Sequence, residues 1–124
     1  MNEAPKAATP NTVIYYLYRD ASNYKKQNTA FVAGTFTDEE KAEMLDCCDN
    51  GMYFIPAQIG LPESRFDETT EDDHVWMELE ESSFEEATDE VTPYCTTTAA
   101  AVLEGFRKAK GHWDVAAAME RLGL

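Results

Sequence analysis

The sequence predicts a single α+β domain: a small, mainly antiparallel sheet of three to four strands with one covering helix and two C-terminal helices. Three observations carry that class. Residues 13–36 are two runs of β-branched and aromatic side chains around a polar break, a composition that suits a pleated surface. Residues 37–50 open on a helix cap and then repeat apolar side chains at helical spacing. Residues 96–124 show the same helical signature twice. With 124 residues, 44% of them hydrophobic, the chain is long enough for one real core.

The first strand is Val13, Ile14, Tyr15, Tyr16, Leu17 and Tyr18, apolar on both faces, and it stops at Arg19 and Asp20. Residues 21–28 are polar, with Ser22, Asn23 and Asn28 suited to local turn bonds. A second strand follows over residues 29–36, where Gly34 implies a bulge or a close backbone approach. Thr37 then caps a helix, and Glu40, three residues on, completes a capping box. Ala42, Leu45 and Cys48, with Met44, form its apolar stripe, and Gly51 closes it. Residues 52–55 read as a third strand ended by Pro56, and residues 56–66 as a folded loop pinned by Ile59, Leu61 and Phe66.

From His74 to Glu80 the side chains alternate, with Val75, Met77 and Leu79 on one side, which reads as a fourth strand with one wet face. Residues 81–92 are expected to be irregular and held down by Phe84. Thr96, Thr97 and Thr98 supply a threonine cap for a helix whose stripe is Ala99, Val102, Leu103 and Phe106. Gly111 breaks it, and a second short helix runs from His112 to a stop at Gly123. The organisation expected is a flexible N-terminal arm over 1–12, an α+β core over 13–95 and a C-terminal helical pair over 96–124.

The net charge is −14, and its distribution is uneven. Residues 63–90 hold thirteen acids and one base, and no Lys or Arg occurs between Arg65 and Arg107. Such a field repels nucleic acid and anionic membrane and attracts basic protein surfaces. No apolar run reaches the roughly 20 residues of a membrane span, and residues 1–12 lack the pattern of a secretory signal. Cys47, Cys48 and Cys95, an odd number of thiols without a metal-binding spacing, suit a reducing cytoplasm rather than a disulfide framework. No cofactor motif is present, and no metal is expected.

Candidate functional residues follow from the charge map. Asp72, Asp73, Glu78, Glu80 and Glu81 are candidate partner-binding carboxylates, with Trp76 as an apolar anchor, since Trp is favoured at interface hot spots. Arg19, Lys25, Lys26 and Arg65 flank loops and could meet as an anion-binding patch. Asp72, Asp73 and His74 form the one stretch with metal-ligand chemistry, although consecutive side chains on an extended chain point in different directions.

Two resemblances add to this. The phrase FRKAKGHWDVAAAMERLGL resembles the first half of a helix-turn-helix of the Fis type. The stretch ends where the DNA-reading helix of such a unit would begin, and with an acidic balance no direct nucleic-acid binding is expected. The ordered phrases YLYRDASNYK, YFIP.Q.GLP..RF and EDDH.W.EL, over roughly residues 13–80, are similar to a family of small acidic uncharacterised bacterial proteins. That resemblance implies a bacterial origin and an intact domain and carries no activity. Three functions are therefore expected to compete. The leading one is a non-enzymatic interaction module that binds a basic protein surface through its acidic segment, in one form by imitating nucleic acid. The second is a small enzyme or metal-binding protein using Asp72, Asp73 and His74, and the third is a module that self-assembles through its C-terminal helices.

Overall fold

The computed structural model describes residues 10–124 and is α+β, with one mixed sheet and three α-helices. Most of the arm expected over 1–12 lies outside the described residues, but Asn11 and Thr12 open β1 (Asn11–Arg19). β1 pairs antiparallel with β2 (Lys25–Ala33) along its whole length, from Asn11 opposite Ala33 to Arg19 opposite Lys25. Residues 20–24 make the turn. Asp20 organises it by accepting the Ser22 and Tyr24 amides on one carboxylate oxygen, each at 2.9 Å, and Asn23 takes the left-handed conformation that asparagine tolerates.

The second strand thus starts four residues earlier than its composition implies. Lys25 and Gln27 are exposed, and the one inward polar side chain, Asn28, is buried but satisfied: it donates to the Ser64 carbonyl at 3.0 Å and accepts the Ser64 amide. Just past β2, Gly34 has φ +97°, and a Cβ there would stand 3.2 Å from that of Ala99. This is the close approach that the glycine implies.

β1 is the centre of the sheet. Since β2 occupies one of its edges, β4 (Met77–Glu78) and β5 (Phe84–Ala87) share the other, with Leu17 opposite Glu78 and Ile14 opposite Phe84. β3 (Tyr53–Phe54) lies outside β4. β6 (Thr97–Thr98) lies outside β2 and runs parallel to it. The sheet accordingly has six strands, not three or four, and is mainly antiparallel, with β2–β6 as its parallel pairing. Two departures explain this. Residues 84–87, expected to be irregular, form a strand because Phe84 drops into the core against Phe36, ring centroids 5.6 Å apart. The threonines before the second helix also pair with β2 before capping that helix.

The core lies between the inner face of the sheet and the helices. Ile14, Tyr16, Tyr18, Ala30 and Val32 project from the sheet onto Met44, Cys47 and Cys48 of the α1 region (α1, Asp38–Cys47) and onto Val102, Leu103 and Phe106 of α2 (Ala99–Ala109). Phe54 sits among them, edge-on to Tyr16 at 5.4 Å and stacked with Phe106 at 5.5 Å. The buried Tyr16 hydroxyl donates to the Pro62 carbonyl. Thr37 and Glu40 form the reciprocal capping box on α1. The buried stripe of α1 is Met44 and Cys47, with Cys48 at its end, while Ala42 is exposed: the helix is turned about its axis relative to the stripe drawn from sequence.

Both C-terminal helices pack on the core. α2 supplies three side chains to the main core and is clasped to α1 by Arg107–Glu43 at 2.7 Å and Lys110–Asp46 at 2.6 Å. α3 (Val115–Leu122) covers a smaller cluster, Ile55, Val75 and Ala118, together with Trp76 and Trp113. No helix among the described residues is long and apolar enough to cross a membrane.

Candidate partner-binding surface

Four of the acids in residues 63–90 serve the fold. Glu63 accepts from the Ala57 amide at 2.8 Å and pairs with Arg121 of α3 at 3.1 Å and with Arg65 at 3.5 Å, its side chain only 5% exposed. Glu78 pairs with Arg19 at 2.9 Å across the β1–β4 register. Asp72 accepts from the Ser22 hydroxyl at 2.6 Å, which ties the acidic loop to the β1–β2 turn. Asp73 accepts from the Tyr18 hydroxyl and, at 2.7 Å, from the Thr70 amide.

The Tyr18 site holds this loop in place. The Arg65 guanidinium lies 4.5 Å over the Tyr18 ring and donates to the His74 and Val75 carbonyls at 2.6 and 3.0 Å. The Tyr18 hydroxyl also accepts the His74 amide at 3.3 Å. Burial first, then donation to Asp73, pushes the Tyr18 phenol up to about 12. Burial works against the Asp73 carboxylate, but the Tyr18 and Thr70 hydrogen bonds, with the nearby Arg65 charge, outweigh it and hold Asp73 below the usual carboxylate range.

His74 is committed on both ring nitrogens. Nδ1 accepts the Trp76 amide at 3.1 Å, which leaves Nε2 to donate to the Arg19 carbonyl at 2.7 Å. Asp72, Asp73 and His74 therefore take three different protein partners instead of converging, and no group of three or more His, Cys, Asp or Glu side chains suited to a metal occurs among the described residues.

Of the basic residues considered for an anion site, the two arginines are engaged within the protein. Arg19 is spent on Glu78 and Asn23, and Arg65 on Glu63, Tyr18 and two carbonyls. Lys25 stands opposite Arg19 in the hairpin register and is exposed; Lys26, opposite Tyr18, is half-buried.

The other candidates are spread over the surface. Glu78 and Glu80 border a hollow with Tyr15, Leu17 and Arg19, while Glu81 borders another with Asp38 and Leu45. Trp76 is half-buried on the α3 cluster and lines a cleft of about 420 Å³ with Trp113 and Lys110, so its ring covers the end of the core. On α3 itself, Val115 and Met119 are exposed one turn apart.

What distinguishes the segment is its uncompensated charge. Asp67, Glu68, Glu71, Glu80, Glu81, Glu85, Glu86, Asp89 and Glu90 are exposed and belong to no ion pair among the described residues. In the helices Asp38, Glu43, Asp46 and Glu104 each have a Lys or Arg within 4 Å, while Glu39, Glu40 and Glu120 belong to no ion pair among the described residues. β5 places Glu85 and Glu86 on an edge strand, pointing to opposite faces of the sheet, since successive strand side chains alternate. The role of Glu63 as a clamp between the loop and α3 was not readable in the sequence, because its partner Arg121 lies 58 residues away. Comparison of the chain with protein families, with curated proteins and with solved structures finds no match.

Proposed function

We propose that this protein is a non-enzymatic interaction module that binds a basic protein surface through the exposed carboxylates of residues 63–90. One observation supports this above the rest: among the described residues, four of the seven acids in the three helices are paired with bases, whereas none of the nine exposed acids of this segment is. Self-repulsion of that kind works against the compact state, and a partner rich in Lys and Arg would relieve it. The rigid attachment of the loop through Arg65, Tyr18 and Glu63 favours the same reading, because pre-ordered charges lose little entropy when a partner docks. A partner that ordinarily binds nucleic acid would meet an array of negative charge in place of its phosphates. The carboxylates that face solvent along residues 80–90 are the better contacts, since Asp72, Asp73 and Glu78 are engaged inside the protein.

The test is capture from a lysate of the source cell with two immobilised variants beside the wild type. One carries Glu80→Gln, Glu81→Gln, Glu85→Gln and Glu86→Gln. The other removes the same charge elsewhere, by Glu39→Gln, Glu40→Gln, Glu104→Gln and Glu120→Gln. Basic proteins should be retained by the wild type and by the second variant, lost from the first, and released by salt. Equal retention by both variants would remove the segment from the binding surface.

A further inference from the structure

We infer that the hollow between the β1–β2 turn and the acidic loop is a binding site for an organic cation, the guanidinium or alkylammonium head of a basic side chain, set between the Tyr24 and Phe66 rings and the Asp20 carboxylate. The hollow has a volume of about 260 Å³ and is lined by Asp20, Tyr24, Phe66, Glu68, Thr70 and Asp73, none of them basic. Asp20 is only 9% exposed. One of its oxygens accepts the Ser22 and Tyr24 amides, and the other accepts nothing among the described residues. Asp20 is thus held in place by the turn with one oxygen unspent at the wall of the hollow, and a charged donor is the strongest partner such an oxygen can take.

The aromatic walls suit the same ligand. Tyr24 is 68% exposed and, with Tyr94, is one of two exposed aromatic side chains among the described residues. Phe66 is half-buried edge-on to Tyr18, 5.7 Å between centroids. Ring faces attract cations and let the alkyl stem of Lys or Arg lie along them. Asp73 contributes its field rather than a further bond, because both its oxygens are engaged by Tyr18 and Thr70. Glu68 is exposed, outside every ion pair of the described residues, and adds a second free carboxylate at the mouth. An anion is repelled here. A bare divalent ion would find too few free oxygens, since calcium takes six to eight.

This inference deepens the acidic-segment reading and rests on it for the natural occupant, a Lys or Arg of the basic partner. It is tested without that partner, by following backbone amide resonances of the full chain during titration with N-acetyl-arginine methylamide, N-acetyl-lysine methylamide and the neutral N-acetyl-glutamine methylamide. Saturable shifts confined to residues 20–24 and 66–73 are expected from the two cations and not from the neutral probe, and the tighter of the two names the head group. Asp20→Asn keeps the oxygen that holds the turn but removes the charge, and should weaken binding about tenfold. Tyr24→Ala removes an exposed ring and should weaken it a few-fold with the remaining spectrum unchanged. Shifts spread equally over residues 80–90, or affinity unchanged in Asp20→Asn, would overturn the site. The two ideas fail separately: cation binding here without capture of any basic protein removes only the partner reading, and capture unaffected by Asp20→Asn and Tyr24→Ala removes only this site.

Discussion

Arg65 stacks its guanidinium on the ring of Tyr18 while donating two hydrogen bonds to the chain beyond it, so a single side chain closes the acidic loop onto the central strand. Removing it leaves the His74 and Val75 carbonyls and the Glu63 carboxylate short of a donor. Arg65→Ala should therefore cost on the order of 2–3 kcal/mol, read as a lower urea midpoint, with faster amide exchange over residues 73–76. Arg65→Lys should recover little, because an ammonium cannot stack flat and donate in a fork at once. Full recovery by lysine would mean that charge alone holds the loop.

Asp73 links stability to pH. Its folded carboxyl is held below the usual range, so its contribution is complete above the unfolded value of about 4 and fades as pH falls through the folded value. The exposed carboxylates act in the opposite sense, since protonating them relieves repulsion. The comparison that isolates Asp73 is wild type against Asp73→Asn: the wild type should be the more stable at pH 7, with the gap closing below about pH 4. A gap that persists in acid would assign the effect to packing.

At the start of α1, Thr37 accepts the Glu40 amide at 3.1 Å and the Glu40 side chain accepts the Thr37 amide at 2.8 Å. Thr37→Ala should lower unfolding free energy by about 1 kcal/mol, measured by chemical denaturation. No change would show that the first turn is held by its packing alone.

All three cysteines are free thiols, with Cys47 and Cys48 buried and Cys95 partly exposed. Burial, with the neighbouring Cys47 and Asp49, pushes the Cys48 thiol up to about 12, away from the reactive thiolate. A chromogenic disulfide reagent at neutral pH should label Cys95 first and the other two only on unfolding. Reductant should leave the melting temperature unchanged. Rapid labelling of all three would mean that the α1–α2 contact opens readily.

How much of this was legible in the sequence depended on how local the cause was. The Thr37–Glu40 cap spans three residues and was readable, as was the alternation that buries Val75, Met77 and Leu79. The stripe of Val102, Leu103 and Phe106 was readable, but its docking into the main core was not, because Phe54 and Ile14 lie far off in sequence. Residues 84–87 carry two glutamates and no alternating pattern; pairing with β1 makes them a strand. The start of β2 was hidden because Asn28 is polar yet buried, satisfied by a backbone 36 residues away. For the site, the uneven charge was evident. Which carboxylates are free was not, since Arg19, Ser22, Tyr18 and Arg121 claim theirs across long separations. Asp20 ends the first strand and Tyr24 lies in the polar break, and neither position by itself points to a site.

The position of β1 has a consequence during synthesis. Its hairpin partner follows directly, but the strands that seal the two outer edges of the hairpin, β4 and β5 on one side and β6 on the other, come from residues 77–98. At roughly 5–20 residues per second, the nascent hairpin waits for several seconds with its aromatic side chains and both rows of backbone groups open to other chains. Newly made copies on one crowded message are thus the hairpin's main competitors for pairing, and a folding helper acting before residue 98 leaves the ribosome would raise yield more than one acting after.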